Sequence, residues 1–172
     1  MPGTVVVHQL VVWAFIGLLG WAAWSDFRRL LIPNRISIAI VALFPAYALA
    51  AGLTPSEIGA AALCAAGLFA LGVVLFARGW IGGGDAKLLA ATALWAGGAR
   101  LADFVVITTL AGAALALLLY VPRRLSAYLP ALVWLEVPVG AGAAARPAPA
   151  QLPYGIAIAA GGVYLAFTIL RG

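Results

Sequence analysis

Six stretches of about 20 mostly apolar residues follow one another along this chain: Val5–Trp24, Ile36–Leu53, Ile58–Ala77, Trp80–Ala99, Leu101–Val121 and Leu152–Leu170. About 20 such residues is what a helix needs to cross a hydrocarbon core about 30 Å thick. No water reaches that core to satisfy loose backbone groups, so a chain built of such stretches crosses as helices. The expectation is an all-α membrane protein, a polytopic bundle of about six transmembrane helices forming one domain over residues 1–172. Only 9% of the residues are charged, which leaves little material for a soluble domain. The apolar run near the N-terminus has no Lys or Arg before it and no small-residue cleavage site after it, and reads as a retained first helix.

The net charge of +5 comes from basic residues that flank the spans, where they report orientation and call for no nucleic-acid partner. With six spans in order, Arg28, Arg29, Arg35, Arg78, Lys87, Arg123, Arg124 and Arg146 fall on one side, against Arg100 and Arg171 on the other. The positive-inside rule puts the first group in the cytoplasm and both termini outside. The single Cys64 excludes an internal disulfide framework and a multi-cysteine metal site. It reads as a packing residue, and no metal or cofactor is expected.

Local signals punctuate this plan. The first cytoplasmic loop is read as Ser25–Arg35, with Pro33-Asn34 opening a turn. Pro45 marks a kink in the second span, and Thr54-Pro55-Ser56-Glu57 has the composition of a helix start. Gly82-Gly83-Gly84 sits poorly in a helix interior, so the regular part of the fourth span is expected to begin at Asp85. A helix of about 21 Å from Asp85 to Gly98 falls short of the hydrocarbon thickness. The glycines are therefore expected at membrane depth, where irregular backbone is tolerated only against protein or a wet cavity. Between Pro122 and Pro153, the apolar patch Leu125–Val139 reads as interfacial or re-entrant, and Gly140–Pro149 as flexible loop.

The acids are few: Asp26, Glu57, Asp85, Asp103 and Glu136. Asp26 and Asp85 both fall at cytoplasmic span ends, and an ionisable group at the membrane costs at least about 2–3 kcal/mol on insertion scales. For Asp26 the competing reading is a solvated loop charge paired with Arg28 or Arg29. The other three acids read as interface charges. Two carboxylates held close cannot both ionise easily, so the pair can act as base and acid together. Peptide hydrolysis needs that combination: one carboxylate deprotonates water and the other serves the scissile carbonyl oxygen. The only histidine, His8, lies on the outer side, so a His-dependent serine or cysteine site at the cytoplasmic face is not supported.

These residues carry a family resemblance. Gly82-Gly83-Gly84-Asp85-Ala86-Lys87-Leu88 resembles the GxGD signature of type IV prepilin peptidases, and Asp26 with Ile32-Pro33-Asn34 resembles that family's first-aspartate motif. Pro153-Tyr154-Gly155-Ile156-Ala157-Ile158-Ala159 is similar to a segment of the short members associated with tight-adherence (Flp-type) pili. The resemblance implies an aspartic endopeptidase of the bacterial inner membrane that cuts the short cytoplasmic leader from a type IV prepilin held in the bilayer. It makes Asp26 and Asp85 the catalytic pair, with Gly82 and Gly84 shaping the backbone beside Asp85. Long members also methylate the new N-terminus and carry an extra cytoplasmic region with paired cysteines, which this chain lacks.

Three supporting positions keep two readings each. Pro33 and Asn34 either form a turn or orient Asp26, and Lys87 either tunes the pair or snorkels to the interface. Leu129-Pro130-Ala131-Leu132 matches the Pro-Ala-Leu triplet of presenilin-like proteases. A presenilin-like intramembrane protease and a non-enzymatic ion-coupled membrane subunit are therefore the alternative functions.

Overall fold

The computed structural model describes residues 2–126 and 152–171. They form five helices: α1 (Pro2–Arg29), α2 (Asn34–Ala51), α3 (Pro55–Ala77), α4 (Gly83–Ser126) and α5 (Tyr154–Arg171). All five contain a stretch long and apolar enough to cross a membrane. Large apolar side chains line the outside, with Leu49 84% exposed and Leu63 75% exposed, as suits helices that face lipid. The chain is a multi-pass, all-α membrane protein.

The expected six spans are thus five helices. The fourth and fifth windows lie in one helical run of 44 residues, α4, about 66 Å at 1.5 Å per residue and so about twice a hydrocarbon core. Inside that run Gly97 is non-helical, with φ 58° and ψ −166°, a conformation open to glycine. The chain turns back there. Arg100 shares a cavity of about 460 Å³ with His8, with Glu57 at the start of α3 and with Leu170 at the end of α5, whereas Gly112 has returned to Tyr154 at the start of α5. The two arms of α4 thereby make the two passes that the sequence assigns to separate helices.

Other boundaries also shift. α1 continues through Asp26 to Arg29, so the expected loop Ser25–Arg35 shrinks to the four residues before Asn34. α4 begins at Gly83, two residues earlier than expected. The start of α3 is as read: Thr54 and Glu57 exchange side-chain and backbone hydrogen bonds in a capping box, with Pro55 at the first helical position. α2 runs through Pro45. One turn earlier, the Ile40 carbonyl accepts from the Trp95 indole at 3.1 Å, and Trp95 stacks on Phe15 with ring centroids 4.1 Å apart. The segments Leu125–Val139 and Gly140–Pro149, including Pro-Ala-Leu at 130–132 and Glu136, lie almost wholly outside the described residues.

Candidate active site

Asp26 sits on the last turn of α1 and is 4% exposed. It is therefore no solvated loop charge. Among the described residues neither Arg28 nor Arg29 forms an ion pair with it; Arg28 instead lies over the Trp24 ring, 4.4 Å from its centroid. The partner of Asp26 comes from the other end of the sequence. The Gly155 backbone N–H donates to Asp26 Oδ2 at 2.7 Å. The first N–H groups of a helix have no intrahelical acceptor and carry its positive end, so α5 begins by aiming one of them at this carboxyl.

Gly155 is required there on steric grounds. A Cβ built on it would stand 2.7 Å from Ile32 Cδ1 and 2.8 Å from Asp26 Oδ2, closer than carbon tolerates. On its other side Ile32 approaches Gly84, whose Cβ would lie 3.1 Å from Ile32 Cβ. Ile32, buried in the short connection after α1, is consequently a spacer between the segment that holds Asp26 and the segment that carries Asp85.

Asp85 is the third helical residue of α4, and its Oδ2 accepts from the Gly82 N–H at 3.1 Å. This is the reciprocal half of a capping box, with an acid reaching back to the backbone just before the helix. The remaining oxygen, Oδ1, is buried without a protein hydrogen-bond partner among the described residues. Leaving a buried acceptor unpaired costs about 1–3 kcal/mol. Ile32 stands against Gly84 on one side and, together with Asp26, against Gly155 on the other, so the fold brings the segments of Asp26 and Asp85, 59 positions apart in the sequence, to the same end of the bundle. The two carboxyls have different donors, Gly155 and Gly82.

The supporting positions divide. Asn34 accepts from Lys87 Nζ at 2.9 Å, which ties the start of α2 to the start of α4 and turns both side chains toward each other. Pro33 precedes α2 in extended conformation with φ −62° and makes no side-chain cap. Gly82 and Gly84 lie where expected, against Asp85 and Ile32. His8 is at the far end of the bundle, Glu57 is spent on the capping box, and Asp103 is exposed on α4. Sequence reasoning did not foresee Gly155 as a donor or Ile32 as a spacer. The signals available were Ile32-Pro33-Asn34 and the Pro153–Ala159 segment, which contain both residues without assigning either a role, and Pro153 itself, which marks a helix about to begin.

Comparison with known proteins gives one finding. A model of the type IV leader peptidase family matches residues 13–117, a stretch that contains both aspartates and the glycine triplet. No curated protein and no solved structure matches the chain.

Proposed function

This chain belongs to the type IV leader peptidase family, and from that premise we propose that it is an aspartic endopeptidase that removes the short leader of type IV (Flp-type) prepilins at the cytoplasmic face of the bacterial inner membrane. The observation that carries the reading is that Asp26 and Asp85 stand at one end of the bundle, their segments packed on opposite sides of Ile32, with Asp85 Oδ1 buried and unpaired. That oxygen is available to a water molecule or to the scissile carbonyl.

Hydrolysis then follows from the chemistry of two carboxyls sharing one proton. The ionised carboxylate takes a proton from water as the water oxygen attacks the carbonyl carbon, and the protonated partner donates to the carbonyl oxygen. Collapse of the tetrahedral intermediate breaks the C–N bond, and the leaving nitrogen takes up a proton from the pair. The fixed N–H donors from Gly155 and Gly82 hold one oxygen of each carboxyl in place, which leaves the others for substrate.

The positions of the acids on their helices favour this over a presenilin-like cut at mid-bilayer. Asp26 is three residues from the end of α1 and Asp85 two from the start of α4, which suits a site at the membrane edge on the side rich in Lys and Arg. The test is co-expression with small prepilins and mass measurement of the product N-terminus. Processing by the unaltered protein is expected, and its loss in Asp26→Asn and Asp85→Asn. Substantial cleavage by either variant would overturn the dyad.

A further inference from the structure

α2 and α3 are joined by only three residues, Gly52 to Thr54, yet each packs on α4 rather than on the other. Their divergence opens a groove of about 710 Å³ on the side of the bundle. Lys87, Ala90 and Leu94 of α4 form its floor, with Ser37 and Val41 of α2 and Ala62 and Ala66 of α3 as walls. From Lys87 to Leu94 the floor extends about 10 Å, or two helical turns.

We propose that this groove seats the apolar helix of the membrane-held precursor, entering sideways from the bilayer, with an acid in that helix's first turn set against Lys87. The proposal rests on the peptidase reading above and adds where the uncut part of the substrate lies.

Three features select this occupant. The first is continuity: at its mouth stand Lys87, two residues from Asp85, and Asn34, two residues from the Ile32 spacer, so a helix in the groove starts beside the dyad. The second is the lining. Small residues let another helix approach closely enough for backbone contact, and Ala62, Ala65, Ala66, Ala90 and Ala91 line the groove. The third is charge. Lys87 donates to the neutral Asn34 and to no acid among the described residues. A helix whose N-terminus lies at the mouth brings its positive end toward this ammonium, so an acid in its first turn satisfies both its own dipole and Lys87.

A photo-crosslinking amino acid placed at position 62 or 66 in the Asp85→Asn protein, in membranes with co-expressed precursor, tests the groove directly. Adducts with the precursor are expected from both positions, and none from position 63, which faces away on the same helix and is 75% exposed. Equal adducts from position 63, or adducts only with lipid or with a second copy of this chain, overturn the proposal. In otherwise unaltered protein, Lys87→Glu should slow processing by at least about tenfold, as for a lost close charge pair. Exchange of the precursor's first-turn acid for Lys should restore it, and failure of that exchange removes the ion-pair part. The two levels separate cleanly. A precursor that the unaltered protein does not cut sinks the peptidase reading, whereas one that it cuts without groove adducts sinks only the groove.

Discussion

The two ends of this bundle solve different problems with different residues. In the half away from the aspartates, Trp95 is 2% exposed and stacks between Phe15 and Tyr47, with ring centroids 4.1 and 4.9 Å away. Its indole is satisfied by Ile40, and the nearby α2–α3 turn is closed by a complete capping box. At the other end the contacts are made by glycine. Gly84 and Gly155 let the backbone close on Ile32, and Asp85 keeps a buried oxygen unpaired. Large stacked rings with the buried indole N–H met give stability. Close backbone with an unmet acid costs stability and holds reactive groups in place. Substitutions at the Trp95 end are expected to change how much protein folds, and those at the aspartate end what the folded protein does.

The largest effect is expected from the aspartates. Asp26→Asn and Asp85→Asn keep the shape and remove one ionisable partner, so processing should fall roughly 10²- to 10⁴-fold while membrane levels hold. Glu57→Gln and Asp103→Asn, away from the dyad, should keep at least partial activity. Product mass in the co-expression assay reads all four. Gly155→Ala comes next. Its methyl has to displace Ile32 or Asp26, at about 1–3 kcal/mol for overpacking, and either movement disturbs the Gly155 to Asp26 hydrogen bond. Processing should drop severely with little change in insertion, whereas Gly59→Ala, where a Cβ meets nothing within 4 Å, should behave as unaltered. Equal activity in the two variants would show that the close approach at Gly155 has no part in the site.

How much of this was legible beforehand depended on whether the cause was local. The window Ile58–Ala77 and the Thr54–Glu57 start became α3 nearly as read, because a capping box and an apolar run are set by neighbours in sequence. Asp26 was placed in a loop because Ser25-Asp26 and Arg28-Arg29 are polar. Its burial is owed to Gly155, 129 residues away, which no window contains. The fourth and fifth windows meet at Arg100, whereas the break falls at Gly97, where the backbone leaves the helical conformation and joins the two arms of α4 across a kink. The glycine triplet pointed to Asp85, yet its purpose was only half visible: Gly82 gives Asp85 a donor, and Gly84 makes room for Ile32.

The Trp95 end offers a third measurement. Trp95→Ala removes a fully buried ring and its hydrogen bond to Ile40, and should cost about 3–5 kcal/mol. Thermal unfolding in detergent should show the loss directly. Processing per folded molecule should be close to unaltered, because Trp95 is ten residues from Asp85 along the first arm of α4. A Trp95→Ala protein that folds normally but cannot cut would erase the division between the two ends.

The smallest effect sharpens the same division. Thr54→Ala removes the hydroxyl that accepts from the Glu57 N–H and donates to Glu57 Oε2 at 2.7 Å, so the first turn of α3 loses its cap. Such a loss costs about 0.5–2 kcal/mol. The Glu57 side chain retains its bond from the Thr54 backbone N–H, also 2.7 Å, which does not depend on the hydroxyl and argues for the lower part of that range. The groove residues of α3 begin at Ala62, two turns beyond the cap, and helix fraying dies out within the first turn. Thr54→Ala should therefore lower the unfolding temperature by a few degrees and leave the rate of precursor processing unchanged at temperatures where the protein stays folded. A processing defect at such a temperature, with α3 still inserted, would show that the turn positions the groove and that the two ends are coupled.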